Sequence, residues 1–260
     1  MKINLALSGA NGRMGKEIAH AVNKDVSFDL ILKLTKDNYN EYKYNQDQLL
    51  GNLSENLNNI TVFIDFSTPA SCLEYAKICN QSKIPMVIGT TGFSDFETQK
   101  ITDLAKSSPI LLSPNMSLGA NICKYLIWSL SKLWSEHHIK ETLIEIKETH
   151  HKHKKDQPSG TALSMADLIN KNFWAKQKVP INFISKRIGE VKGEHQVTFS
   201  NIFEEIIIKH NVLDRSIFAY GALLAAKWLV QYKINHSTNQ PYELYNFFHV
   251  MDLGFHKIAF

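Results

Sequence analysis

The 260-residue sequence lacks what several protein classes require. No apolar run approaches the roughly 20 residues that cross a bilayer as a helix. No secretory leader is expected: the N-terminus reads as a short strand entering an early glycine turn. Cysteine is scarce. Cys72, Cys79 and Cys123 are odd in number and contain no CxxC pair, which argues against a disulfide framework and for a reducing compartment, the cytoplasm. Cys72 and Cys79 are seven apart in an apparent helix, so both are expected to face the core. A large excess of one charge is also missing. The formal net charge is +4, too small for a dedicated nucleic-acid binder. Internal repeats and low-complexity linkers are absent. What remains is an ordinary apolar fraction of 44% in a chain long enough to bury a large core as one or two domains.

The first half alternates strand and helix. Lys2 to Ser8 reads as a buried strand, Lys16 to Val22 as a helix, Phe28 to Thr35 and Thr61 to Ser67 as strands. Pro69 to Gln81 (helix), Pro85 to Thr91 (strand), Ser94 to Ser107 (helix) and Ile110 to Asn115 (strand) follow. That alternation predicts a doubly wound parallel sheet. Residues Tyr39 to Asn59 are polar and unpatterned. A long helix, Leu118 to His137, leads into a strand-rich stretch: Thr142 to His150, Ile181 to Ile188, His195 to Asn201 and Glu204 to Val212, with a helix over Pro158 to Trp174. These strands are expected to form one mostly antiparallel or mixed four-stranded sheet. The final apolar helix spans Ser216 to Tyr232. The change of pattern divides the chain into residues 1–117 with 216–260, a dinucleotide-binding domain, and 118–215, a substrate-binding domain.

Two segments carry chemistry. Residues His150 to Lys155 hold three histidines and three lysines, followed by Asp156-Gln157-Pro158-Ser159-Gly160-Thr161-Ala162 and an apolar helical run. Cations beside a helix start suit an anion, and the N–H groups of Ser159, Gly160 and Thr161 can receive a carboxylate. Histidine suits proton transfer near neutral pH. A solvated basic surface and a metal site are the other readings. Against metal, His150 and His151 are adjacent on a strand and point to opposite faces, and no second ligand cluster appears. The second segment is Gly9-Ala10-Asn11-Gly12-Arg13-Met14-Gly15, between strand and helix. Its spacing is GxxGxxG, not GxGxxG. The turn nonetheless brings backbone close to a pyrophosphate and aims helix N–H groups at it.

These motifs stand in an order that resembles the 4-hydroxy-tetrahydrodipicolinate (dihydrodipicolinate) reductase family over nearly the whole chain. Gly9 to Gly15 resembles its nucleotide turn. Asp65-Phe66-Ser67 and Gly89-Thr90-Thr91-Gly92 resemble its next strand ends, and Ser113-Pro114-Asn115-Met116-Ser117-Leu118-Gly119 its interdomain segment. Glu148 to Ala162 matches its E-x-H-H-x-x-K-x-D-x-P-S-G-T-A run. Gly193-Glu194-His195, Arg215, Phe218 and Gly221-Ala222 follow in family order.

The resemblance implies NADH- or NADPH-dependent reduction of a cyclic dicarboxylate to tetrahydrodipicolinate on the diaminopimelate route to lysine. It implies a homotetramer, no metal, and no nucleic-acid or membrane partner. His150 and Lys154 match the family's acid pair, and His151, Ser159, Gly160 and Thr161 its carboxylate-holding positions. Thr91 matches a threonine where cofactor and substrate meet. Gly9 to Met14, Thr35, Lys36, Phe66, Gly89 to Thr91 and Ser113 to Met116 fall on cofactor-binding positions. The chain departs from the family twice. Thr35 stands where an acidic residue usually binds the adenosine ribose, and the Trp174 to Ile181 connection is short. Without that acid, and with Lys36 and Lys33 adding cations, NADPH is the favoured cofactor.

Overall fold

A computed structural model of the chain describes residues 2–35, 56–137, 141–173, 180–236 and 240–251. Lys36 and most of the Trp174 to Ile181 connection lie outside these residues. The described chain separates into two compact units, Met1–Met116 with Ser216–Phe260, and Ser117–Arg215.

In the first unit, strands β1 (Ile3–Ser8), β2 (Phe28–Leu34), β3 (Val62–Asp65), β4 (Met86–Ile88), β5 (Ile110–Leu112) and β10 (Leu244–Tyr245) form a six-stranded parallel sheet, ordered β10-β5-β4-β3-β1-β2. The order reverses at β1, which lies between β2 and β3. In doubly wound sheets that reversal is the crevice where ligands bind. Strands β1, β3 and β4 are almost wholly buried, as sheets covered on both faces require.

The helices of this unit are α1 (Arg13–Lys24), α2 (Pro69–Gln81), α3 (Asp95–Ala105), α6 (Ser216–Asn235) and the short α7 (Phe247–Val250). Helix α2 begins where its signals say. Thr68 Oγ1 accepts from Ser71 N, and Pro69 occupies the first turn, where a missing N–H costs nothing. Ser94 and Glu97 form a reciprocal capping box for α3. Cys72 and Cys79 are both buried in the core of this unit, beside Phe63, Ala76, Met86 and Ile101.

The second unit is built on a four-stranded sheet, β7-β6-β8-β9, from β6 (Leu143–His150), β7 (Ile181–Arg187), β8 (Glu194–Ser200) and β9 (Glu205–Asn211). The β6–β7 pair is parallel and the other two pairs are antiparallel. Helices α4 (Leu118–Glu136) and α5 (Gly160–Asn172) supply Ile127, Trp134, Met165 and Ile169 to a core shared with Ile144, Ile146, Val197 and Phe199. Each such burial is worth about 1.5–3 kcal/mol. Helix α5 starts at Gly160, with Ser159 as its cap and Pro158 outside it. The proline therefore precedes the first turn.

Two elements had no sequence expectation. Strand β10 and helix α7 come from the C-terminal stretch, and β10 pairs with β5 to complete the edge of the parallel sheet. Residues Leu57–Asn59 form a short 3₁₀ turn.

Candidate active site

In the second unit the site grows from the end of β6. Strand alternation places Ile144, Ile146, Glu148 and His150 on its buried face. The first two pack in the core. The next two put a carboxylate and an imidazole in the same layer, and Glu148 is fully buried. The Nδ1–H of His150 donates to Glu148 Oε2. Arg187 Nη1, on β7, lies 2.8 Å from Glu148 Oε1, an ionic contact without hydrogen-bond alignment. Burial alone would raise the Glu148 pKa. Arg187, Ser185 and His150 outweigh it, and the carboxyl sits below its ordinary range. Burial pushes His150 below the ordinary imidazole value, and Glu148 pulls it partly back.

With Nδ1 held by Glu148, the ring presents Nε2 outward. Beside it runs Gly193, where an added Cβ would lie 3.4 Å from His150 Nε2. The ring of His195, on β8, stands edge-on to His150 at 5.0 Å. Burial pushes the His195 pKa down to about 3, so this imidazole is neutral. Its Nε2 is 3.1 Å from Ser159 Oγ. That hydroxyl also accepts from Ala162 N, capping α5. Ser159 is thus fixed from both sides at the start of the helix.

The loop after His150 carries the cations. Lys154 Nζ is 2.7 Å from Asp156 Oδ1. Burial would raise the Asp156 pKa, but Lys154 and the Gly160 N–H lower it below its ordinary value. Arg187 fastens the same loop through the carbonyls of Lys154 (3.3 Å) and Asp156. Gly160 is exposed, and a Cβ there would meet nothing within 4 Å, so the helix start is open. Thr161 is half-buried in the first turn. The ring of His151 lies 6.3 Å from that of His153. Lys152 and His153 are exposed. Glu148, Arg187 and His195 were given no role on sequence grounds. Glu148 left a trace as a carboxylate in phase with the buried isoleucines, and His195 stood in the Gly193-Glu194-His195 motif; Arg187 left none. No group of three or more His, Cys, Asp or Glu among the described residues could hold a metal.

In the first unit, the Gly9 to Gly15 turn joins β1 to α1. Gly9 has φ +74°, and a Cβ there would fall 2.2 Å from Phe66 O. A Cβ on Gly15 would fall 2.2 Å from Gly9 O. Only glycine fits either position. Gly12 caps α1 and offers no side chain to its first-turn N–H groups. Those donors and the positive end of the helix suit a pyrophosphate. Asn11, Gly12 and Arg13 are exposed, Met14 is half-buried and Ala10 is buried. Thr35 lies just past β2, next to Leu34, whose carbonyl accepts from Gly9 N and Ala10 N.

Asp65 ties the neighbouring strand ends together. It accepts from Ser67 Oγ at 2.7 Å and from Thr90 Oγ1 at 2.5 Å, while Ser67 N donates to Thr90 Oγ1 at 2.8 Å. The Phe66 ring covers Gly89, leaving no room for a side chain there. Thr91 is exposed and precedes Gly92, at φ +90°. Ser113 Oγ donates to Asn115 O at 2.9 Å, Pro114 is exposed, and Met116 is buried. The Met116 carbonyl lies so close to Gly221 on α6 that a Cβ there would fall 1.7 Å from it.

Residues 3–116 match the family described as dihydrodipicolinate reductase, N-terminus, and residues 119–251 match dihydrodipicolinate reductase, C-terminus. The chain belongs to the dihydrodipicolinate reductase family. The C-terminal match runs past the second unit and takes in α6, which packs in the first. Among curated relatives, the 4-hydroxy-tetrahydrodipicolinate reductase of Pelagibacter ubique (strain HTCC1062) is 40% identical over 248 residues, 89% of this chain and 94% of that protein. The enzyme of the same name from Buchnera aphidicola subsp. Cinara cedri (strain Cc) is 34% identical over 259 residues, 89% of this chain and 93% of the relative. The fold is that of a dipicolinate-bound dihydrodipicolinate reductase from Paenisporosarcina sp. TG-14. The TM-score is 0.70 at 22% identity, over 95% of this chain and 98% of that one. The expected Rossmann-like sheet with a second mixed-sheet domain stands with this likeness. So does the expected reductase identity with the family.

Proposed function

We propose that this chain reduces 4-hydroxy-tetrahydrodipicolinate to tetrahydrodipicolinate with a nicotinamide cofactor, on the diaminopimelate route to lysine. The observation that carries the chemistry is the Glu148–His150 pair beside the open start of α5. A buried carboxylate holds one imidazole nitrogen and leaves the other free for a ligand.

The first unit, Met1–Met116 with Ser216–Phe260, holds the cofactor. Gly9, Ala10, Asn11, Gly12, Arg13 and Met14 surround the pyrophosphate. Thr35 faces the adenosine ribose, and Lys36, outside the described residues, is assigned to the same end of the cofactor. Phe66, Gly89, Thr90, Thr91 and Ser113 to Met116 line the remainder. When bound, the nicotinamide supplies a hydride to a ring carbon. The substrate loses water in the reaction, and the reduced ring needs one proton. His150 delivers that proton from Nε2 while Glu148 steadies the imidazolium through Nδ1. A dianionic substrate beside His150 favours its charged form and offsets the effect of burial. Lys154 assists and orients the ring.

The second unit, Ser117–Arg215, holds the carboxylates through His151, Ser159, Gly160 and Thr161; Thr91 is assigned to the substrate by its match to the family's threonine. The dipicolinate bound to the Paenisporosarcina relative supports a ring dicarboxylate as the ligand class.

NADPH is preferred over NADH. Thr35 neither binds ribose hydroxyls as a carboxylate does nor repels a 2′-phosphate, and Lys33 and Lys36 flank it in the sequence as cations. The chain assembles as a homotetramer through the second unit, in keeping with exposed Ile202, Phe203, Ile206 and Ile207 around β9. It works in the cytoplasm, in keeping with three free cysteines and no membrane-crossing helix among the described residues.

The test is oxidation of NADPH and of NADH by the purified protein with freshly generated substrate. Substrate-dependent oxidation is expected with both, faster at low NADPH. Oxidation of neither rejects the function. A strong NADH preference, or a Lys36→Ala variant with unmoved preference, rejects the cofactor assignment alone.

A further inference from the structure

Lys124 is an internal lysine of α4, 5% exposed, that makes no hydrogen bond or ion pair among the described residues. It belongs to the buried stripe Ala120, Asn121, Lys124, Ile127, Ser131 and Trp134, whose three- and four-residue spacing marks the helix face toward the sheet. Trp134 packs on Phe199 of β8 at 5.7 Å. Ten residues back along the helix is about 15 Å, and four residues along β8, from Phe199 to His195, is about 13 Å. Lys124 is therefore near the level of His195 along the sheet. The first turn of α4 lies over the same pair of strands. His210 stands opposite His195 on β9, and its Nε2 is 2.9 Å from where a Gly119 Cβ would be. The Lys124 charge also acts on His195 and disfavours its protonation.

An unpaired ammonium in such a layer is costly, and an apolar side chain would fill the stripe at lower cost. Burial lowers the Lys124 pKa to about 8, so the charge is still present at neutral pH. Among the described residues no carboxylate pairs with it. Glu148 is already engaged by His150 and Arg187. His195 Nδ1 and His210 Nδ1 are buried without a partner. From His195 the path continues through Ser159 Oγ to the start of α5, where Gly160 is open. Lys124 thus adds a positive charge behind a site made of donors.

We propose that Lys124 is a specificity-determining residue: its buried, uncompensated ammonium selects a ligand with two carboxylates at the α5 start, acting through His195 and Ser159 and not by contact. The proposal rests on the dicarboxylate reading of this site given above.

The experiment compares dipicolinate with the monocarboxylate picolinate, as ligands of the full-length protein with nicotinamide cofactor present. Wild type, Lys124→Met, Lys124→Gln and Lys124→Arg are measured. Methionine and glutamine remove the charge while retaining much of the length. The expected result is a loss of dipicolinate affinity of about tenfold or more in both neutral variants, with a smaller loss for picolinate, so that preference for two carboxylates shrinks. Substrate KM should rise more than kcat falls, cofactor affinity should hold, and Lys124→Arg should restore the preference. A neutral variant with native melting temperature and unchanged preference overturns the proposal. Unfolding of both neutral variants overturns it equally, by making Lys124 a structural residue. A wild type that binds neither acid rejects instead the dicarboxylate reading on which the proposal stands.

Discussion

The carboxylate of Glu148 and Nδ1 of His150 meet on the buried face of β6, two residues apart on one strand. The pair has a consequence for pH. Glu148 raises the His150 pKa against the larger lowering effect of burial. Glu148→Gln removes that support, so the charged imidazole is lost at lower pH. The kcat/KM profile should fall on its alkaline side at a lower pH than in wild type. Turnover at neutral pH should drop by about 10- to 100-fold, part of what general acid catalysis contributes. Cofactor affinity should not change. A pH profile superimposable on wild type would remove Glu148 from the mechanism.

Lys154 and Asp156 pair at 2.7 Å, with the Gly160 N–H on the same carboxylate. An internal carboxylate therefore engages two groups assigned to the substrate. Asp156→Asn should lower substrate KM about two- to fivefold, the size of a partly exposed ion pair. A raised KM would mean that Asp156 holds Lys154 in position instead.

At Gly9, φ is +74° and the Phe66 carbonyl blocks a side chain. Gly9→Ala should lower the melting temperature and weaken nicotinamide cofactor binding at least about tenfold. A thermal melt checks the first and calorimetric titration the second. Native cofactor affinity in this variant would place the pyrophosphate elsewhere.

Lys227 on α6 reaches Asp25, just past α1, at 2.8 Å, and together with hydrogen bonds from Ser27 lowers its pKa from 3.8 to about 2. A depressed carboxylate stabilises the fold above its unfolded pKa, and that contribution is lost as pH falls from 3.8 toward 2. Lys227 is 41% exposed, so solvent discounts the pair to about 0.2–1 kcal/mol. Asp25→Asn should therefore cost stability at neutral pH and nothing at pH near 2, by denaturant melts at both.

The sequence carried the local part of this architecture. Pro69 after Thr68 marks a helix start, and the Gly9 to Gly15 turn marks a strand-to-helix junction, because both depend on neighbours in the chain. His150, Lys154 and Ser159 to Thr161 were likewise visible as one contiguous run. Arg187, His195 and Lys124 were not. Each comes to the site from another element, and a pattern within β7, β8 or α4 says which face a residue takes but not what it meets across the sheet. Strand β10 has two residues, too few for an alternation to register, and it exists because β5 offers it an edge.

The central claim is that His150 delivers the proton from Nε2. It is tested most directly by the turnover of His150→Gln with saturating NADPH and substrate, alongside cofactor affinity and melting temperature. The account predicts a fall in kcat of about 100- to 10,000-fold, with the other two near wild type. A folded, cofactor-binding His150→Gln variant that keeps kcat within a few-fold of wild type would contradict it.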